Sequence, residues 1–197
     1  MGAALLVIDL QNGFVGPYFT DEESAKRIKN KMVLGINEAT DLFRKAGKPV
    51  IFIQMIYKAD KSNWTLRMKD VNSPYCIENT PEIMFFDGLI VEKSDIIITK
   101  ERYSAFFNTN LDEILRKESI NSLVITGMNT HACVRSTVID AYERNYRVLL
   151  PLELVDSYNS ALHDQTISYF DNRVVSIISM EELKKRLAKN DFDFRFT

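Results

Sequence analysis

Short apolar runs separated by amphipathic stretches set the rhythm of this chain. Leu5-Leu-Val-Ile-Asp9 is apolar on both faces, the pattern of a buried parallel strand. From about Ser24 to Ala46, Ile28, Met32, Ile36, Ala39, Phe43 and Ala46 recur at three- and four-residue steps, which predicts a helix. Gly47 and then Pro49 supply its stop. Further strands are predicted over Val50–Ile56, Asp95–Lys100, Ser122–Thr126, Arg147–Leu150 and Val174–Ile178. Helices are predicted over Leu111–Glu118, from the turn before Cys133 to about Asn145, over Ser160–Phe170, and after Ser179. Asn110 with Glu113, and Ser179 with Glu182, read as capping boxes. This alternation predicts an α/β domain built on a parallel sheet. The irregular stretch from Gln11 to Pro17 reads as a turn-rich loop, and that from about Tyr57 to Gly88 as a pocket wall or an oligomer contact. The tail from Asn190 to Thr197 alternates Phe with charge and reads as docked on a neighbouring subunit or loose.

Composition narrows the class. A chain of 197 residues, 46% hydrophobic and 26% charged, suits one domain over 1–197. A net charge of −2 gives no global pull toward nucleic acid or an acidic membrane surface. Its apolar runs are far short of a membrane span, and the N-terminal segment lacks the basic region and cleavage site of a signal peptide. Two cysteines, at 76 and 133, make no disulfide framework. A reducing, cytoplasmic setting is the expectation.

Candidate chemistry lies at the strand ends, where open parallel sheets bind ligands. Strand one ends on Asp9 and strand three on Lys100. Strand four leads through a Gly-containing turn to Cys133, in the first turn of a helix. Each has a bland reading: a turn former, a solvated charge, a small buried hydrophobe. Placed on one rim, they can act together. The helix start favours an anion, so the thiol pKa of Cys133 is expected to be depressed. Asp9 could accept the thiol proton, and Lys100 would keep Asp9 ionised. Backbone N–H groups around Asn129 and Cys133 could stabilise the oxyanion. Asp9 could then protonate a departing amine and activate water. The trio describes an amide or urea-type hydrolase with a thioester intermediate.

Three segments carry a resemblance. Asp9-Leu-Gln-Asn-Gly-Phe14, Lys100-Glu-Arg-Tyr-Ser-Ala-Phe-Phe-Asn-Thr-Asn-Leu111 and Gly127-Met-Asn-Thr-His-Ala-Cys133-Val resemble the isochorismatase-like cysteine hydrolases, over residues 3 to about 180. The resemblance implies a three-layer α/β/α fold on a six-stranded parallel sheet. It maps the catalytic Asp, Lys and Cys onto Asp9, Lys100 and Cys133. It also implies a non-proline cis peptide at Met128–Asn129, aiming the Asn129 N–H into the oxyanion hole, and a homo-dimer or homo-tetramer.

Departures from the pattern refine it. Nicotinamidases of the family hold a divalent metal through an Asp-x-His pair after strand two and a further His. Here that region reads Gln54-Met-Ile-Tyr-Lys58, with no His before position 131. No metal and no cofactor are expected. Isochorismatases proper, which cleave a vinyl ether, generally lack the cysteine, so Cys133 favours C–N hydrolysis of a small amide, N-carbamoyl or ureido substrate. Gly13 replaces a common Asp, leaving the entrance less acidic.

Phe14, Trp64, Tyr103 and Phe107 are candidates for an apolar substrate pocket. His131, two residues before Cys133, faces another way on a helix and reads as a capping or surface residue rather than a papain-like partner. His163, near a helix start, reads as structural. Arg135 reads as a subunit or internal-carboxylate partner rather than a substrate contact. Vinyl-ether hydrolysis, a non-catalytic binding or assembly protein that kept the site by descent, and a thiol redox sensor using Cys133 and Cys76 are the alternatives.

Overall fold

Side chains of the first strand enter two cores by turns. In β1 (Gly2–Ile8), Ala4, Leu6 and Ile8 join one buried cluster, while Ala3, Leu5 and Val7 join another. A strand apolar on both faces is therefore the middle of a sheet covered twice. The computed structural model that gives this picture describes residues 2–15 and 28–196. The expected turn at Gly16-Pro17 and the expected helix start near Ser24 lie outside the described residues.

The other strands are β2 (Val50–Met55), β3 (Ile96–Lys100), β4 (Ile120–Met128), β5 (Arg147–Pro151), β6 (Val155–Asp156) and β7 (Ser176–Ile178). All pair in parallel in the order β3-β2-β1-β4-β5-β7, and β6 adds to β4. The sheet is thus seven-stranded rather than six-stranded. The extra strand has two residues, too few to leave a periodic signal.

The helices are α1 (Asn12–Val15), α2 (Leu34–Lys45), α3 (Leu66–Val71), α4 (Leu111–Lys117), α5 (Arg135–Glu143), α6 (Ser160–Phe170) and α7 (Met180–Lys189). Wider π-helical turns, Ile28–Val33 and Thr130–Val134, lead into α2 and α5. Helices α2 and α7 cover one face of the sheet through Ile36, Ala39, Phe43 and Leu183. Helices α4, α5 and α6 cover the other through Leu111, Leu115, Val138, Ala141 and Phe170. This is a three-layer α/β/α fold.

Two local expectations change. Asn110 makes no capping bond; Thr109 Oγ1 accepts from Leu111 N at 3.3 Å instead. One residue earlier, a threonine reaches the helix start that the sequence pattern assigned to Asn110. Ser179 does cap its helix, accepting from Glu182 N at 3.1 Å. The C-terminal tail folds back onto its own chain. Phe192 is fully buried against Phe43, and Arg147 pairs with Asp193 at 2.5 Å.

Strand order positions the site. The chain runs outward from β1 to β2 and β3, then returns to place β4 on the other side of β1. The carboxyl ends of β1 and β4 therefore flank the point where strand order reverses, the usual ligand crevice of such sheets.

Candidate active site

Gly127 is what lets the two central strands close on one another. It pairs with Ile8 at φ +110°, and a Cβ there would lie 2.1 Å from the Ile8 carbonyl oxygen. Only a residue without a side chain fits. The next residue of β1's course, Asp9, takes a left-handed conformation at φ +49°, and its N–H donates to Ile53 O at 3.0 Å. That turn directs its carboxylate off the strand end, a conformation an Asp tolerates better than most side chains.

Lys100 ends β3, two strands away, a separation of roughly 10 Å between backbones. Its four-carbon stem spans the gap: Lys100 Nζ lies 2.7 Å from Asp9 Oδ2, with both side chains fully buried. Nζ also donates to Arg102 O at 3.0 Å. Cys133, only 2% exposed, sits in the π-helical turn after β4, near enough to Asp9 and Lys100 that each shifts its titration. The three strand-end residues expected on one rim are brought together there.

Their electrostatics differ from the expectation. Burial, and then the negative charge of Asp9, push the Cys133 thiol well above its ordinary range, although Lys100 pulls the other way. The partial charge of a helix start is outweighed by loss of water. Burial likewise raises the Asp9 carboxyl against the opposing pull of Lys100. Lys100 is raised: burial favours losing the proton, but Asp9 and Cys133 together outweigh it. At 2.7 Å the contact between Lys100 and Asp9 is a buried, charge-assisted ion pair.

The turn itself departs from the resemblance. Met128–Asn129 is trans, and among the described residues there is no cis peptide bond. Gly127 makes the sharp reversal by positive φ, and Asn129 follows in an extended conformation at φ −86°, ψ 126°. Its carbonyl accepts from Ala132 N at 3.0 Å and Val134 N at 3.2 Å, holding the first turn of the Cys133 helix. Thr137 Oγ1 donates to Cys133 O at 2.8 Å and accepts from Ala105 N at 3.1 Å, tying that helix to the loop after β3.

A cavity of about 1180 Å³ opens onto Cys133 and Asn129. Phe14, Tyr103 and Phe107 line it, as expected from sequence. Trp64 does not: it is buried in the core, its indole N–H donating to Lys58 O at 2.9 Å. An indole that must satisfy its N–H is drawn inward by that carbonyl. Its neighbours Thr65, Arg67 and Met68 face the cavity instead, with Ser73 and Tyr75, so the irregular 57–88 segment forms a pocket wall.

Two further lining residues, Arg135 and His131, were expected elsewhere from the sequence. Arg135 lines the cavity with its guanidinium over the Tyr169 ring, 5.6 Å from the centroid, rather than meeting an internal carboxylate. His131 lines it too, its Nδ1 bonded to Ser157 Oγ and its ring edge-on to Tyr158 at 5.0 Å. Burial, and then His163, hold His131 below the ordinary imidazole range. His163 bonds Thr130 Oγ1 at 2.9 Å. Gly13 is buried, not at an entrance: a Cβ there would lie 2.7 Å from Cys76 Sγ, so an Asp has no room. Cys76 is a buried free thiol, raised by burial and by Asp9. Among the described residues no cluster of His, Cys, Asp and Glu could hold a metal ion, and no helix is long and apolar enough to cross a membrane.

Comparison with known proteins adds four findings. The family model described as "Isochorismatase domain" matches residues 3–182. A ureidoacrylate amidohydrolase, RutB of Methylorubrum extorquens, is 32% identical over 160 residues, 72% of this chain and 64% of that protein. The chain thus spans just under two thirds of that relative's length. Among solved structures, an isochorismatase family protein from Burkholderia thailandensis superimposes with a TM-score of 0.81 at 28% identity, covering 94% of this chain and 95% of the other. N-carbamoylsarcosine amidase from Thermoplasma acidophilum gives 0.73 at 26% identity, covering 92% and 98%.

Proposed function

Because this chain belongs to the isochorismatase family, we propose that it is a metal-independent cysteine hydrolase cleaving the C–N bond of a small amide, N-carbamoyl or ureido compound. One observation carries the reading: a fully buried Asp9–Lys100 pair at 2.7 Å beside the buried Cys133, which lines the cavity. A buried ion pair contributes little net stability, because desolvation offsets its attraction. Its presence next to a nucleophile is better accounted for by chemistry. Relatives named for ureidoacrylate and N-carbamoylsarcosine support the same bond type.

The steps follow from the charges. Asp9 takes the Cys133 proton as the sulfur attacks the substrate carbonyl, so the buried trio never carries a second uncompensated negative charge. Lys100 stays protonated throughout and holds Asp9 in place. Backbone N–H groups of Asn129 and Cys133 receive the oxyanion. Protonated Asp9 gives its proton to the departing nitrogen as the C–N bond breaks, leaving a thioester on Cys133. Water then attacks that thioester, Asp9 accepts its proton, and the proton returns to sulfur as the acid leaves. The sulfur nucleophile separates this route from vinyl-ether hydrolysis.

The test is ammonia release from a panel of small amides and ureides, with Cys133→Ala protein as the blank. Turnover should fall by about 10³-fold or more in that variant, and a quenched wild-type reaction should show an acyl adduct on Cys133 by mass spectrometry. Ammonia release undiminished in Cys133→Ala protein would remove the reading.

A further inference from the structure

Two tyrosines bring their hydroxyls to within 3.4 Å of one another at the cavity wall. Tyr57, two residues past β2, is fully buried, and Tyr75 lines the cavity together with Cys133. The backbone fixes their spacing. Tyr57 N donates to Cys76 O at 2.8 Å, and Glu78 N donates to Tyr57 O at 2.8 Å. Ring contacts hold Tyr75 as well: it is edge-on to Tyr57 at 5.3 Å and to Phe14 at 5.7 Å. Both phenols respond to the charge of Cys133, so they stand near the reacting sulfur.

Burial decides which hydroxyl donates. Among the described residues, the Tyr75 hydroxyl is the only hydrogen-bond partner of the Tyr57 hydroxyl. Were Tyr75 the donor, the Tyr57 proton would be buried without an acceptor, at a cost of about 1–3 kcal/mol. Tyr57 therefore donates to Tyr75. The Tyr75 proton must then turn away from Tyr57, and no protein acceptor meets it among the described residues. What Tyr75 faces is the cavity. Burial also raises both phenols, so each keeps its proton. A donor that does not release its proton is unsuited to the departing nitrogen, which needs one transferred. It suits the carbonyl oxygen, which gains negative charge as sulfur attacks.

We propose that the Tyr75 hydroxyl is a further oxyanion donor, hydrogen-bonding the scissile carbonyl oxygen of the substrate, and that Tyr57 is a positioning residue that points the Tyr75 proton at it. The proposal rests on the hydrolase reading and adds a side chain to a hole otherwise built from backbone N–H groups.

Tyr→Phe changes test it, because each keeps the ring and removes one oxygen. On the amide of the panel that turns over fastest, Tyr75→Phe should lower kcat at least about tenfold with KM within about twofold, the mark of a bond made in the transition state. Tyr57→Phe should lower kcat about threefold or more. The double variant should match Tyr75→Phe within about twofold, because Tyr57 acts only through Tyr75. An unchanged kcat in Tyr75→Phe, a loss confined to KM, or losses that multiply in full in the double variant overturn the proposal. Should Tyr57→Phe not fold, Tyr75→Phe decides alone. A second arm needs no turnover. Butyraldehyde adds to Cys133 as a thiohemiacetal: the S–C bond forms and the thiol proton passes to the carbonyl oxygen, which then lies where the oxyanion would. Its affinity is read from protection of Cys133 against iodoacetamide, followed at that residue by mass spectrometry. Tyr75→Phe should weaken protection about tenfold, and unchanged protection overturns the proposal. The two readings fail separately. Tyr75-dependent protection without ammonia release from any amide removes the hydrolase reading alone, and ammonia release with both arms indifferent to Tyr75→Phe removes this one alone.

Discussion

The proposed mechanism has Asp9 and Cys133 hold one proton between them. Lys100 contributes one positive charge, so a buried trio with both the carboxylate and the thiolate ionised would be left one charge out of balance. Burial raises both acids, and the charge of Asp9 raises the thiol further. A raised thiol pKa means less thiolate at any pH below it. Cys133 should therefore alkylate with iodoacetamide more slowly than free cysteine at about pH 7, and accelerate only above the ordinary thiol range. Asp9→Asn removes a cause that raises the thiol, so its alkylation profile should move to lower pH while turnover falls by about 10²- to 10⁴-fold. Lys100→Met should move the profile to higher pH and also lose turnover. Rate measurements across pH on the three proteins check this; an Asp9→Asn profile that coincides with wild type contradicts it. At this scale the positions of Asp9, Lys100 and Cys133 were legible because Asp9 and Lys100 end strand signals and Cys133 opens the helix that follows another. Arg102 was not: nothing in Lys100-Glu-Arg says that the distant Asn63 carbonyl, together with that of Glu101, holds its guanidinium.

The joint between β4 and the Cys133 helix is the element on which the site depends. Gly127 has both a left-handed φ and no space beside Ile8. Gly127→Ala should cost on the order of 3 kcal/mol, from conformational strain plus overpacking. That lowers Tm by roughly 6–12 °C in a chain of this size, and the folded fraction should lose activity because β1 and β4 are pushed apart. Thermal unfolding with an activity assay on the same sample checks it; a variant as stable as wild type removes this account. Strand and helix positions were legible because burial imposes periods of two and three to four residues. The π-helical turn at Thr130–Val134 was not, since its wider hydrogen bonding depends on the Asn129 carbonyl and on Thr137 anchoring to the loop after β3.

Across the whole molecule the tail fastens the far side of the sheet. Phe192 packs on Phe43, its carbonyl meets Ser122 Oγ at 3.5 Å near the start of β4, and Lys48 sits over its ring at 5.1 Å. Asp9, Lys100 and Cys133 lie toward the opposite, carboxyl ends of the strands. Phe192→Ala should cost about 3–5 kcal/mol for a fully buried aromatic, with activity per folded molecule retained. Asp193→Ala should change stability by less than about 1 kcal/mol, because its ion pair with Arg147 is more than a third exposed on both sides. Urea unfolding of the two variants separates a buried anchor from a surface ion pair, and equal effects would refute the distinction.

From the sequence alone came the layered α/β plan, the order of its elements and three reactive strand ends. Hydrophobic period and turn chemistry are local properties, written in neighbouring residues. Tertiary structure alone decided what those residues experience: the strand order that sets Asp9 between Lys100 and Cys133, the loss of water that raises the thiol, Trp64 turned inward, and arginines turned toward a common space. Those properties depend on groups far apart in the chain, and a Coulomb energy or a desolvation cost exists only once distances and burial are fixed.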